Sequence, residues 1–434
     1  MRKRIISFIL LLLPLLSSSQ ENAFNAFLAD SSMEYASVSF CIIYPDSSSP
    51  VFDYNQGKSL NPASLMKLIT SAASLEMLGP DHRFRTTVGY TGTLNKRTGR
   101  LRGNIIIKGG GDPALGSKYF EEHYSGFTER WIEEIRKQGI KKVSGRVITD
   151  DSYFDYQPVP ARWLLEDAGN YYGAGVYGLS VFDNTYEIHQ DGRLAGTVPA
   201  NPDTSVLRAS IADPPLIMAI ILDQKLRDSG IVVSGEPATT RLLQSSDIGQ
   251  LITLTETVSP PLKKIIEVMN HESINLYAEH LLKELGKVFG ESGSTESGIK
   301  VMRQFLSEAG VNTEGMFIED GSGLSPLNAL NSGDLVSLLR YMKSKGRYFH
   351  EYFYSLPEAG REGTLKNNFK DPVFCTRMSA KSGSMTRVRN YAGYITTLSG
   401  KELIFCILVN NYTGPAQILI SHIEGILIET IKDE

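Results

Sequence analysis

The chain opens on a basic triplet, Arg2, Lys3 and Arg4, followed by an apolar run over residues 5–16 and three small residues, Ser17, Ser18 and Ser19. This is the pattern of a secretory signal peptide over residues 1–19. The run is short for a bilayer span, and an uncleaved N-terminal anchor is the alternative. Strand-like runs follow at residues 35–44 and 50–54, around a Ser-rich turn at 46–49. Helical spacing takes over at residues 62–78. Asn61 offers an N-cap there, Pro62 suits the first helical position, and Gly79-Pro80 stops the run.

From about residue 85 the pattern changes. Residues 86–94 and 100–108 predict two paired strands around the turn 95–99. Helices are predicted at 127–138 and 214–228, with strands between them through 188 and beyond. Helical spacing returns at 261–269, 273–285 and 298–309. The tail reads as strands at 377–381, 388–398 and 402–409, then an amphipathic helix at 418–431. Strands at both ends with helices between predict one α/β (α+β) domain, 20–85 and 255–434, split by a long α+β insert, 86–254.

Composition narrows the classes. The chain has 434 residues, 41% hydrophobic and 21% charged, which suits a globular protein of two or more domains. The net charge is −4 with no basic stripe, so nucleic acid is not an expected partner. No later stretch is long and apolar enough for a transmembrane anchor in the mature chain. Three cysteines make no disulfide framework. Cys41 and Cys406 lie in β-like runs and read as buried free thiols, with a bridge between two of the three left open. The seven histidines form no metal signature: His271-Glu272 begins like a zincin motif, but position 275 is Asn. Gly109-Gly110-Gly111 lacks the Gly-Lys-Ser/Thr ending of a phosphate loop and reads as a tight turn.

Three short motifs carry candidate chemistry. In Ser64-Leu65-Met66-Lys67, at the start of the helix, hydroxyl and amine lie on one helix face. A serine hydroxyl needs a base to become a nucleophile, and a lysine serves if burial lowers its pKa. Alone the motif says little, because Ser297 and Lys300 match it too. The second motif, Ser273-Ile274-Asn275, opens a predicted helix. Ser273 there is a helix cap in the structural reading and a proton-relaying hydroxyl in the functional one, with the Asn275 amide orienting substrate. The third, Lys381-Ser382-Gly383, lies on a strand. It is either a strand end with a turn, or a cation and hydroxyl holding a carboxylate, with Gly383 letting substrate pass close to the backbone. After Ser64 there is one Ser-x-Asn and one Lys-Ser/Thr-Gly, and no Ser-x-Asn follows Ser297. This ordered set marks β-lactamases and penicillin-binding proteins.

The interval from Ser64 to Ser273 is too long for a compact β-lactamase. The stretches NPASLMKLITSAASLEMLG, GNIIIKGGGDPAL, MNHESINLYAEHLL, EDGSGLS, AKSGSM and NYAGYI resemble the D-alanyl-D-alanine carboxypeptidase/endopeptidase family, the class C low-molecular-mass penicillin-binding proteins. The resemblance covers essentially the whole mature chain. It implies a β-lactamase/transpeptidase-like domain with a five-stranded antiparallel sheet flanked by helices, interrupted by two nested small domains. It implies an acyl-enzyme on Ser64, Lys67 as base, Ser273 as relay, Asn275 as orienting amide, Lys381 and Ser382 as carboxylate-binding pair, and the backbone N–H groups of Ser64 and Ser384 as oxyanion hole. It also implies a DD-peptidase of the periplasm acting on peptidoglycan peptides, acylated by β-lactams, with no metal or organic cofactor. Two positions depart from the usual pattern: Ser382 stands where Thr is common, and Ile274 where a polar residue is common. A β-lactamase or esterase using the same serine is the first rival reading, and a catalytically silent wall-binding protein the second. The oligomeric state is not legible in the sequence.

Overall fold

A computed structural model describes residues 19–47, 49–189, 194–195, 206–245 and 248–433. The leader pattern lies outside these residues except for Ser19, as do positions 190–193 and 196–205 of the strand pattern expected past residue 188. The two chain ends build one antiparallel five-stranded sheet. Its order is Met378–Met385, Val388–Thr396, Glu402–Asn410, Ser37–Ile43 and Pro50–Tyr54. Side chains alternate between its faces. Phe405, Ile407 and Val409 pack with Phe24, Phe27, Leu419, Ile423 and Leu427, from the helices Ser19–Ala29 and Ala416–Asp433. Ile404, Cys406 and Leu408 face the other way, into the core that holds the helix Met66–Leu78. Cover on both faces explains why the strand Glu402–Asn410 reads as one apolar run. Cys41 and Cys406 stand opposite each other on neighbouring strands as buried free thiols, and Cys375 is an exposed free thiol.

The expected hairpin over 86–108 is corrected. Each run breaks once and serves two sheets. Arg85–Tyr90 pairs with Ile105–Lys108, whereas Thr93–Asn95 pairs with Arg100–Arg102. The break is at glycines: a Cβ on Gly103 would lie 1.7 Å from the Thr91 carbonyl oxygen, and Gly92 holds φ +89° against the Arg102 carbonyl. Only glycine permits such backbone contact. The first pair belongs to a five-stranded sheet completed by Ala238–Thr239, Val147–Asp150 and Ile252–Val258, and the second to a four-stranded one. Gly109 and Gly110 likewise lie against the Gly178 and Arg85 carbonyls, in keeping with a tight turn.

The strands Arg85–Tyr90 and Ile252–Val258 pair antiparallel, so the chain enters and leaves this region side by side. The helix Phe127–Lys137 buries Phe127, Trp131, Ile132 and Ile135 beneath it. Trp131 Nε1 donates to Thr257 Oγ1 at 2.8 Å. Trp131→Ala opens a large cavity and orphans that hydroxyl. It is expected to cost about 3–5 kcal/mol, read as a lowered thermal midpoint in a calorimetric scan.

The helix Ser332–Lys345, capped by Asn331, and the short helix Phe349–Tyr354 were not expected from the sequence. Both pack toward Met66–Leu78 or the sheet. Among the described residues no helix is long and apolar enough to cross a membrane.

Candidate active site

Ser64 sits in a 3-10 turn, Ala63–Leu65, that leads into the helix Met66–Leu78. The expected helix therefore starts later than residue 62. Asn61 caps the turn instead: its Oδ1 accepts from Ala63 N at 2.8 Å. Ala63 is held at φ +45°, a region an alanine enters at a cost of order 1–3 kcal/mol. Leu65, Met66, Leu68 and Ile69 are all fully buried, and they carry Lys67 into the interior with them.

Lys67 Nζ donates to Ser64 Oγ at 3.0 Å, to Asn275 Oδ1 at 2.6 Å and to the Ser322 carbonyl at 2.8 Å. Burial pushes its pKa down to about 7, although the Asp320 and Glu279 carboxylates pull the other way. The rival pair behaves differently. Ser297 Oγ accepts from the backbone of Glu291 and Ser292, while Lys300 Nζ faces Glu296 and Glu291 at the surface. No dyad forms there.

Ser273 requires a correction. It does not open a helix. It ends the helix Leu262–Glu272 in the left-handed region, at φ 57° and ψ 41°, and the next helix starts at Asn275. The turn aims the Ser273 hydroxyl at Lys381, whose Nζ donates to it at 2.9 Å. Lys381 is fully buried. That burial and the nearby Lys67 hold its pKa well below the usual lysine range. Ser382 Oγ donates to Thr364 Oγ1 at 2.7 Å.

Gly383 has a reason that the motif did not disclose. A Cβ there would lie 2.5 Å from the Pro62 carbonyl oxygen, so the missing side chain lets the strand Met378–Met385 lie against the Ser64 turn. Asn390 Nδ2 ties the neighbouring strand to the Asn61 carbonyl at 2.9 Å. Ser64, Ser273, Asn275 and Ser384 line one cleft of about 640 Å³, together with Glu166, Asp167 and Tyr172 from the 86–254 region. Asn275 Nδ2 donates to the Tyr172 carbonyl at 3.0 Å, so that region touches the site directly.

Sequence reasoning gave no role to the groups beneath Lys67, although the stretches that hold them, EDGSGLS and MNHESINLYAEHLL, were singled out. Glu279, one helical turn after Asn275, accepts from Gly321 N at 3.0 Å and Ser322 N at 2.8 Å. Asp320 accepts from Gly323 N, Ser325 N, Asn328 Nδ2 and Trp163 Nε1. Burial and the Asp320 carboxylate push Glu279 above the usual carboxylate range. For Glu279 the signal was an acidic residue inside the apolar stretch LYAEHLL. Thr364 had none.

The arrangement is a hydroxyl hydrogen-bonded to a buried amine of lowered basicity, on the floor of a cleft, with a second amine–hydroxyl pair on its wall. It can perform acyl transfer. A D-Ala-D-Ala carboxypeptidase 3 (S13) family model matches residues 20–193 and 190–422. The chain is 26% identical to a D-alanyl-D-alanine carboxypeptidase of Actinomadura sp. (strain R39), over 91% of this chain and 82% of the relative. It is 24% identical to D-alanyl-D-alanine carboxypeptidase DacB of Haemophilus influenzae, over 84% and 83%. The crystal structure of penicillin binding protein 4 (dacB) from Haemophilus influenzae shares the fold, with a TM-score of 0.79 and 22% identity over 92% of this chain and 97% of that one. A predatory peptidoglycan endopeptidase from Bdellovibrio bacteriovorus follows at 0.54 and 18% identity, over 91% and 92%. The chain belongs to the D-Ala-D-Ala carboxypeptidase 3 (S13) family, and with it to the serine DD-peptidases.

Proposed function

We propose that Ser64 is the residue acylated by D-alanyl peptides of the cell wall, with Lys67 as its base. The observation that carries this is the 3.0 Å contact between a fully buried amine and the Ser64 hydroxyl at the cleft floor. The neutral amine takes the Ser64 proton while Oγ bonds to the carbonyl carbon of the penultimate D-Ala. The backbone N–H groups of Ser64 and Ser384 hold the oxyanion, where each such donor is worth about 10²–10³ in rate. Collapse breaks the C–N bond, and the leaving amine takes its proton through the Ser273 hydroxyl, which Lys381 contacts. Asn275 orients the substrate backbone, and Lys381 with Ser382 holds the terminal carboxylate. Water then attacks the ester and frees Ser64.

A leaving D-Ala makes the reaction a carboxypeptidation. A leaving D-centre of a diamino acid on a neighbouring stem makes it the opening of a cross-link. The Bdellovibrio neighbour, a peptidoglycan endopeptidase, suits the second, and the Actinomadura and Haemophilus carboxypeptidases suit the first. β-Lactams acylate the same serine in this reading. The reading places the enzyme in the periplasm, on the leader pattern and the family together. It divides the chain into a catalytic domain, 20–85 and 255–434, and an insert, 86–254. The paired strands at the junction support that division.

The test is a fluorescent penicillin added to the mature protein beside Ser64→Ala, followed by mass spectrometry of the labelled peptide and digestion of muropeptides. Label on Ser64 with release of D-Ala or of cross-linked stems is the expected result. Fast penicillin turnover without peptide cleavage points instead to a β-lactamase. Absence of label on folded wild-type protein sinks the acyl-enzyme reading and leaves the silent wall-binding protein.

A further inference from the structure

Lys67 does not rest on Ser64 alone. One of its three acceptors is the carbonyl of Ser322, a fully buried loop residue. Gly321 and Ser322 are both fixed by the Glu279 carboxylate through their N–H groups. The Gly321 carbonyl accepts from Thr70 Oγ1 at 2.6 Å, one turn along the helix from Lys67. Glu279 and Asn275 lie four residues apart on one helix face. That face therefore meets the amine twice, directly through Asn275 and through the Gly321–Ser322 peptides by way of Glu279.

We infer that Glu279 is a positioning residue for acylation: through the Gly321 and Ser322 N–H groups it fixes the Ser322 carbonyl that aims Lys67 at Ser64. This rests on the reading of Lys67 as base. The logic is that of any nucleophile–base pair whose base is oriented by a third group. Here the third group acts through a peptide rather than by touching the base. Glu279 is fully buried, and an acid held there without a function would carry a desolvation penalty for nothing. The charged groups facing Lys67 are Glu279 on the helix Asn275–Phe289, Asp320 on the loop, and Lys381 on the strand Met378–Met385. The two acids favour the ammonium, and Lys381 opposes it.

The experiment is the rate of penicillin acylation of Glu279→Leu beside Glu279→Gln, each corrected to the fraction of protein that can be labelled. Leucine removes the acceptor of the Gly321 and Ser322 N–H groups, whereas glutamine keeps one acceptor oxygen for them. Trp131→Ala, destabilised at a residue outside the cleft lining, controls for lost stability alone. The expected result is a Glu279→Leu acylation rate about 10- to 100-fold lower, with Glu279→Gln restoring most of it. The half-saturating penicillin concentration stays unchanged. A corrected Glu279→Leu rate within twofold of wild type overturns the inference, whatever the drop in thermal midpoint. So does an equal loss in both variants, or a loss accompanied by a raised half-saturation constant, which is plain deformation of the cleft. Failure of the underlying reading is distinguishable, because wild-type protein would then show no label on Ser64 or no rise in rate with pH.

Discussion

Replacing Lys67 by methionine is expected to slow acylation of Ser64 by about 10²–10⁴-fold, the usual contribution of a positioned general base. It is also expected to remove the limb that Lys67 gives to the pH profile of that step. The sign follows from the buried amine. An exposed lysine holds its proton to about pH 10.5, whereas burial brings Lys67 down to about 7. Below that pH the amine is protonated and cannot take the Ser64 proton; above it the free base dominates. Acylation by a penicillin therefore rises from pH 6 to pH 8 in the wild type and then levels off. The methionine variant keeps the apolar part of the side chain but has no titrating group at position 67, so its residual rate loses the limb that Lys67 contributes. Stopped-flow labelling at a series of pH values measures both, with a thermal scan to check that the variant is folded. A wild-type rate that does not change between pH 5 and pH 9 would sink the assignment of Lys67 as base.

The second large effect comes from a residue that carries no chemistry. Gly323 sits at φ +86°, and a Cβ there would fall 1.8 Å from the Ala63 carbonyl oxygen. Ala63 is the residue before Ser64, itself held at φ +45°. Gly323→Ala adds the left-handed penalty of about 1–2 kcal/mol. It also forces either the Ser64 turn or the loop bearing the Ser322 carbonyl to move. A displacement of about 1 Å at a reacting group lowers rate by about 10², so labelling of the folded variant is expected to fall by that order. Gly310→Ala separates the two contributions, because Gly310 has φ +76° but nothing within 4 Å of its missing Cβ. That variant is expected to lose stability only, with an unchanged labelling rate. Equal labelling of the two variants would mean that the contact with Ala63 does not hold the nucleophile in place.

Local signals carried much of this protein. The helix after Ser64 was legible because Asn61, Pro62 and Gly79-Pro80 punctuate a continuous apolar stretch. The pairing of Ser64 with Lys67 followed from helix geometry, since three residues of separation put both on one face. The helix Pro214–Asp228 matched its expected limits, and the tail strands came within a few residues of theirs. Two glycines hidden inside alternating strand patterns defeated the reading of 86–108. Their signal is backbone contact with Thr91 and Arg102, which no periodicity reports.

The chain by itself therefore determined most of the elements, the order of the three motifs and the Ser64–Lys67 pair; the elements and the pair depend on neighbours a few residues away. Only the tertiary structure decided what surrounds that pair. The partners of Lys67 on Asn275 and Ser322 lie 208 and 255 residues along the chain. Ser273 reaches Lys381 through a left-handed turn at a helix end rather than from a helix start. The buried acids Glu279 and Asp320 meet under the amine from a helix and a distant loop. Burial is a property of packed surfaces that converge from remote segments, and the basicity of a lysine follows its burial. A sequence can name the amine, but the fold sets the pH at which it works.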